Sequence, residues 1–175
     1  MIIKSRYVAA AFIAAFLTGC ATVQPFLPSD YAGPVAILKD SAKSSIRDKN
    51  ADMFYAEAIN GQVIESSRNS TDKASAGQGR NLSVRNIERK IPIQPLKVSI
   101  VGRTIYAAPI DVLIRSVYEV KGNIEFTPEA NKIYTVRGVL GEKYSAVWIE
   151  EGPDKKIVGE KIEINGSAKL GVLNK

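Results

Sequence analysis

Histidine is absent from this 175-residue chain, and cysteine occurs once, at position 20. Without an imidazole there is no Ser-His-Asp triad, no Cys-His pair, no His-ligated zinc and no HExxH chemistry. A single cysteine makes neither an intrachain disulfide nor a thiolate zinc cage. Ser-Lys dyads, carboxylate pairs and all-oxygen calcium sites survive these exclusions. Charge of one sign is nowhere concentrated. The 24 Lys and Arg against 18 Asp and Glu give a formal +6, spread along the chain with no block of five or more like charges to mark a nucleic-acid arm. No nucleic-acid partner is therefore expected. No apolar run reaches the roughly 20 residues that a membrane-spanning helix needs.

The N-terminus does hold an organised signal. Lys4 and Arg6 precede an uncharged apolar run, Tyr7 to Leu17, which ends in Leu17-Thr18-Gly19-Cys20. A basic head, a short apolar core and small residues at the cut are the marks of a secretory signal peptide. The last four residues resemble the lipobox of bacterial lipoproteins. The resemblance implies cleavage between Gly19 and Cys20, diacylglycerol on the Cys20 thiol, and acylation of the new amino terminus. One acyl chain anchors only marginally and each buried methylene contributes about 0.8 kcal/mol, so a multiply acylated cysteine would hold the chain on a membrane without a spanning helix. Position 21 is Ala and not the Asp that favours inner-membrane retention in such lipoproteins. The expected location is the outer membrane, facing the periplasm.

This reading divides the chain into a signal peptide (1–19), a lipidated tether (20–34) rich in Pro and Gly, a folded domain (35–164) and a flexible tail (165–175). Lys4 and Arg6 leave with the signal, so the formal charge of the remainder falls from +6 to +4.

Within the domain, turn chemistry punctuates short apolar runs. Met53–Ile59 and Gln62–Ile64 flank Asn60-Gly61, a strong hairpin signal. Residues 65–81 are Ser-, Asn- and Gly-rich and predict a long mobile loop, the first place to look for partner contacts. Leu82 to Ile93, interrupted by Pro92, suits an edge strand. Leu96–Val101 reads as a strand closed by Gly102. Ile110, Leu113, Ile114 and Val117 fall at helical spacing and predict a short helix near 110–117, with a strand as the competing reading. Alternation is clearest in the last third, through Tyr118–Phe126, Tyr134–Leu140 and Tyr144–Glu150. The fold class expected is mainly β: an antiparallel β-sandwich, immunoglobulin- or transthyretin-like.

The run "VKGNIEFTPEANKIYTVRG…YSAVWIEE", most clearly residues 117–151, resembles a pattern in small proteobacterial lipoproteins of unknown function, where a Phe-x-Pro turn precedes a Tyr strand and then a Trp-Ile-Glu strand. The resemblance implies a β-sandwich in the cell envelope and brings no catalytic residues.

Candidate motifs are sparse. Gly77-Gln78-Gly79-Arg80 has the look of a phosphate loop but lacks the third glycine and the following helix; a functional version would aim Arg80 at an anionic partner. Glu150 and Glu151 are adjacent and would point to opposite faces of a strand. Asp111 and Glu119 are isolated. Trp148, Tyr134, Tyr144 and Phe126 read as core in preference to a binding platform. No catalytic residue, cofactor or metal ligand is assigned. The expected role is a non-catalytic binding or scaffolding module, taking a partner protein, an envelope polymer or a toxin; the alternative is a hydrolase using carboxylates or a Ser-Lys pair.

Overall fold

The structure is a computed structural model that describes residues 25–45 and 49–175. The Gly19–Cys20 junction, and with it the signal peptide and the lipidation site, lies outside the described residues. The elements are β1 (Val35–Lys39), β2 (Ser41–Ser45), β3 (Asn50–Ile59), β4 (Gln62–Val63), α1 (Ser67–Ser75), β5 (Glu88–Pro92), β6 (Leu96–Tyr106), α2 (Pro109–Ile114), β7 (Glu119–Phe126), β8 (Ile133–Val139), β9 (Tyr144–Glu151), β10 (Lys156–Asn165) and a closing 3-10 turn, Val172–Asn174.

They form a β-sandwich. One sheet has the order β10-β9-β8-β1-β5, the other β2-β3-β6-β7, with β4 added at the end of β3. Every pairing is antiparallel except β1 with β8, which is parallel. Among the described residues, the first of four crossings between the sheets takes a single residue: β1 ends at Lys39, Asp40 turns the corner, and β2 continues in the other layer.

Period-two alternation fills the space between the sheets. Ala36 and Leu38, Val98 and Ile100, Val120 and Ile124, Val136, and Val147 and Ile149 all project into one core. Each fully buried Val, Leu or Ile contributes about 1.5–3 kcal/mol. In β3 the ladder to β6 slips between Ala56 and Ala58. That bulge resets the phase, so Ile59 and not Ala58 joins the core with Ala56. The Asn60-Gly61 turn has φ of 50° and 80°, the pair of positive values that a tight two-residue hairpin demands.

Phe54 explains why β8 carries a glycine. A Cβ on Gly138 would lie 2.4 Å from the Phe54 ring and 2.5 Å from the Ala146 carbonyl oxygen. The absent side chain lets a ring from one sheet press on the backbone of the other.

Three expectations need correction. Residues 65–81 are not one mobile loop, because 67–75 form α1. Ser66 caps its N-terminus by accepting from the Asn69 N–H at 3.3 Å. Its buried face is Ser67, Thr71 and Ser75, one hydroxyl per turn. These accept from the backbone N–H groups of Ile87 (2.7 Å), Arg85 (2.8 Å) and Ser83 (2.9 Å) respectively. Four helical residues rise about 6 Å and two extended residues about 6.6 Å, so the returning segment matches the helix rung for rung. The edge strand predicted from Leu82 is therefore shorter, starting at Glu88.

The second correction concerns β6, which runs unbroken through Gly102 to Tyr106. The third concerns residues 165–175, which do not fray. The Glu119 N–H donates to the Ala168 carbonyl (3.0 Å), the Leu170 N–H to that of Val117 (2.8 Å), and the Lys175 ammonium to the carbonyls of Leu113 and Arg115.

Candidate functional site

A helix does form near 110–117, as α2, but with its faces reversed from the expected arrangement. Ile110, Leu113 and Ile114 are 55%, 57% and 70% exposed, whereas Asp111 is 2% exposed. The reason is electrostatic. Arg80 meets the Asp111 carboxylate with two N–H groups, Nε at 3.1 Å and Nη2 at 2.5 Å, and the Arg115 Nε stands 3.4 Å away. A two-pronged guanidinium–carboxylate pair is a strong, directional contact. It rolls α2 so that the acid faces the protein and the aliphatic side chains face out. Val117, past the end of the helix, alone of the four spaced residues is buried.

Arg80 and Asp111, singled out separately in the sequence, are thus brought together. The anion that Arg80 meets belongs to its own chain. Gly77-Gln78-Gly79-Arg80 follows a helix and opens none, so it is a connector and not a phosphate cradle.

Beside α2 lies a groove of about 760 Å³, walled by Ala76, Leu82, Tyr106, Pro109, Val112 and Leu113. The C-terminal turn adds exposed Val172 and Leu173, and Lys175 fastens that turn to the end of α2. α2 and the C-terminal turn therefore expose five aliphatic side chains, of which Leu113 lines the groove.

The outer face of β3-β6-β7 holds a polar basin of about 500 Å³ with Tyr55, Glu57, Arg68, Arg103, Glu119 and Lys121. Burial pushes the Tyr55 phenol above its ordinary range, opposed by the hydrogen-bonded Arg68. Two carboxylates meet here, but Glu119 is paired with Arg103.

The aromatic residues separate into two groups. Tyr134 lies in the core with Phe126 packed against it, their rings tilted by 56° with centroids 5.1 Å apart, as expected. Trp148 and Tyr144 instead stand half-buried on the outer face of β9, with the Lys161 ammonium 4.9 Å and 5.3 Å from their rings. Glu150 accepts from the Trp148 indole (2.9 Å), and Glu151 pairs with Lys132 (2.9 Å). The adjacent carboxylates thus serve separate partners.

The buried serines are committed too. Ser41 donates to the Val136 carbonyl, Ser67 to Asp40, and Ser145 to the Gly141 carbonyl. Among the described residues no group of three or more Cys, Asp or Glu is placed to hold a metal ion, and no helix is long and apolar enough to cross a membrane.

Comparison with family models, with curated proteins and with solved structures decides nothing further. None matches. The functional reading rests on the chain's own chemistry.

Proposed function

We propose that this chain is a lipid-anchored cell-envelope protein, held through Cys20 on the periplasmic face of the outer membrane, whose domain binds a protein partner and does no covalent chemistry. The anchor is supported by the Leu17-Thr18-Gly19-Cys20 motif behind an apolar segment and a basic head. The binding role is carried by one observation: α2 turns Ile110, Leu113 and Ile114 to solvent beside an apolar groove. Monomeric domains seldom leave aliphatic side chains clustered in water without a use for them. A short helix with its apolar side outward next to a groove fits a helix-and-groove contact with another protein.

The test is crosslinking in intact envelopes. The wild-type chain is expected in the membrane fraction with a discrete crosslinked partner. Leu113→Lys with Ile114→Lys should lose that partner while keeping the melting temperature, because both positions face solvent. Cys20→Ala should leave the membrane fraction. A Cys20→Ala chain that stays membrane-bound removes the anchor, and a partner retained by the double variant removes the α2 surface.

A further inference from the structure

Part of the segment read as a lipidated tether (20–34) is held by the domain. Phe26 packs against the main core, and Tyr31 N–H donates back to the Pro28 carbonyl at 3.1 Å. Residues 25–29 and Tyr31 wall a cleft of about 460 Å³ together with Ile64, Glu65, Ile87, Arg89 and Lys90. The chain thus binds the domain from Pro25 onward, at the side where β5 is the edge of its sheet. Fully extended, residues 20–34 would have reached about 50 Å; the five steps from Cys20 to Pro25 reach at most about 18 Å.

That limit selects a face. Resting on the reading of Cys20 as the lipidated residue, we propose that the β5 side of the domain, with Lys90 on the strand and the neighbouring Val63 and Arg85, is the side that lies against an anionic lipid surface. Val63 is exposed beside the cleft residue Ile64. Lys90 lies on the cleft wall and Arg85 two residues before Ile87; both are exposed. The other charges of this edge are largely matched within the fold: Glu88 by Lys39 (2.7 Å), Glu65 by Lys73 (3.1 Å) and Arg89 by Asp40 (2.7 Å). Arg85 and Lys90 outnumber the exposed Asp30 of the 25–31 segment. A basic excess this close to anionic headgroups lies within or near a Debye length of them. The opposite edge of the sheet, β10, is four strand spacings away, about 19 Å. α1 then leads from the cleft side at Ser67 to the α2 groove at Ser75, about 12 Å along its axis, which sets the groove apart from the edge that meets lipid.

Cys20 is the chain's single cysteine, so the chain from Cys20 onward can be coupled at one point to a maleimide lipid. Vesicles of phosphatidylcholine, with and without phosphatidylglycerol, are compared by hydrogen exchange. The expected result is slowed exchange at 62–65 and 85–92 and none at 156–165, stronger with phosphatidylglycerol. Arg85→Glu with Lys90→Glu should abolish the phosphatidylglycerol dependence. A Gly/Ser insert of about ten residues between Ala21 and Thr22 should weaken the protection by letting the domain swing away. Protection centred on β10, or protection indifferent to both changes, overturns the assignment. The mass of the Cys20 peptide from native envelopes reports on lipidation separately, so a chain without lipid and a chain that docks by another edge give different results.

Discussion

Asp40 and Arg89 form a two-pronged ion pair at the corner where the chain leaves one sheet for the other. Arg89 Nη1 and Nη2 donate to the two carboxylate oxygens at 2.8 and 2.7 Å. Asp40 also accepts from the backbone N–H of Ala56 and of Ser67 and from the Ser67 hydroxyl. One carboxylate therefore ties β5 to β3 and to the first turn of α1. Losing one member of a buried pair costs about 3–5 kcal/mol, because the other is left charged in a dry place. Arg89→Met is expected to lower stability by that amount in equilibrium denaturation. Replacing both partners by apolar residues should not restore it, because the N–H groups of Ala56 and Ser67 would then lack acceptors. Recovery of wild-type stability in the double variant would show that Asp40 acts only as an ion-pair partner.

Gly138 should tolerate no side chain. Gly138→Ala forces a methyl into the Phe54 ring and the Ala146 carbonyl, an overpacking expected to cost about 1–3 kcal/mol. Adding Phe54→Leu should recover part of that loss. Strictly additive denaturation energies for the two changes would argue against the contact.

Asp52 gives a signed pH dependence. Burial pushes its carboxyl above the ordinary range, opposed by the Thr104 hydroxyl and the charge on Lys43. The folded state thus prefers the neutral acid. That preference stabilises below the unfolded pKa and is lost as pH rises through the folded one. Asp52→Asn is expected to melt higher than wild type at neutral pH, with the gap closing in acid below about pH 4. A gap that stays constant with pH would trace the effect to packing instead.

Glu142 acts in the opposite sense. The Tyr118 hydroxyl, and then that of Ser167, hold its carboxyl below the ordinary range. This contribution is present above the unfolded pKa and fades as pH falls through the folded one. Glu142→Ala, or acidification of the wild type, should speed hydrogen exchange at 167–171 and leave the core strands unchanged. If exchange there ignores both, the tail is held by its backbone bridges alone.

Strands and turns were legible wherever alternation met turn chemistry, as at Asn60-Gly61 and across Tyr144–Glu151. Helix α1 was hidden because its buried stripe is Ser67, Thr71 and Ser75, polar residues that give no apolar period. The signal that could have found it is a hydroxyl at i, i+4 and i+8. Helix α2 was visible by spacing, but the spacing said nothing of which side faced inward; that was decided by Arg80, 31 residues away in sequence from Asp111. Trp148 and Tyr144 read as core in the sequence because a strand's two faces look alike when both are apolar. The outer face of β9 includes Ala146 as well as the two rings, which masked its direction.

The parallel pairing of β1 with β8 also has a consequence for assembly. Ile37 finds Ile133 and Leu38 finds Tyr134, so the first strand is flanked on one side by a segment made almost a hundred residues later. Pairings of such long separation close late. A chain delivered N-terminus first would hold Val35–Lys39 unpaired on that side until β8 emerged. Until then its one ladder is the antiparallel one to β5, from Val35 with Pro92 to Lys39 with Glu88, so about three quarters of the chain must be present before the first strand is enclosed on both sides.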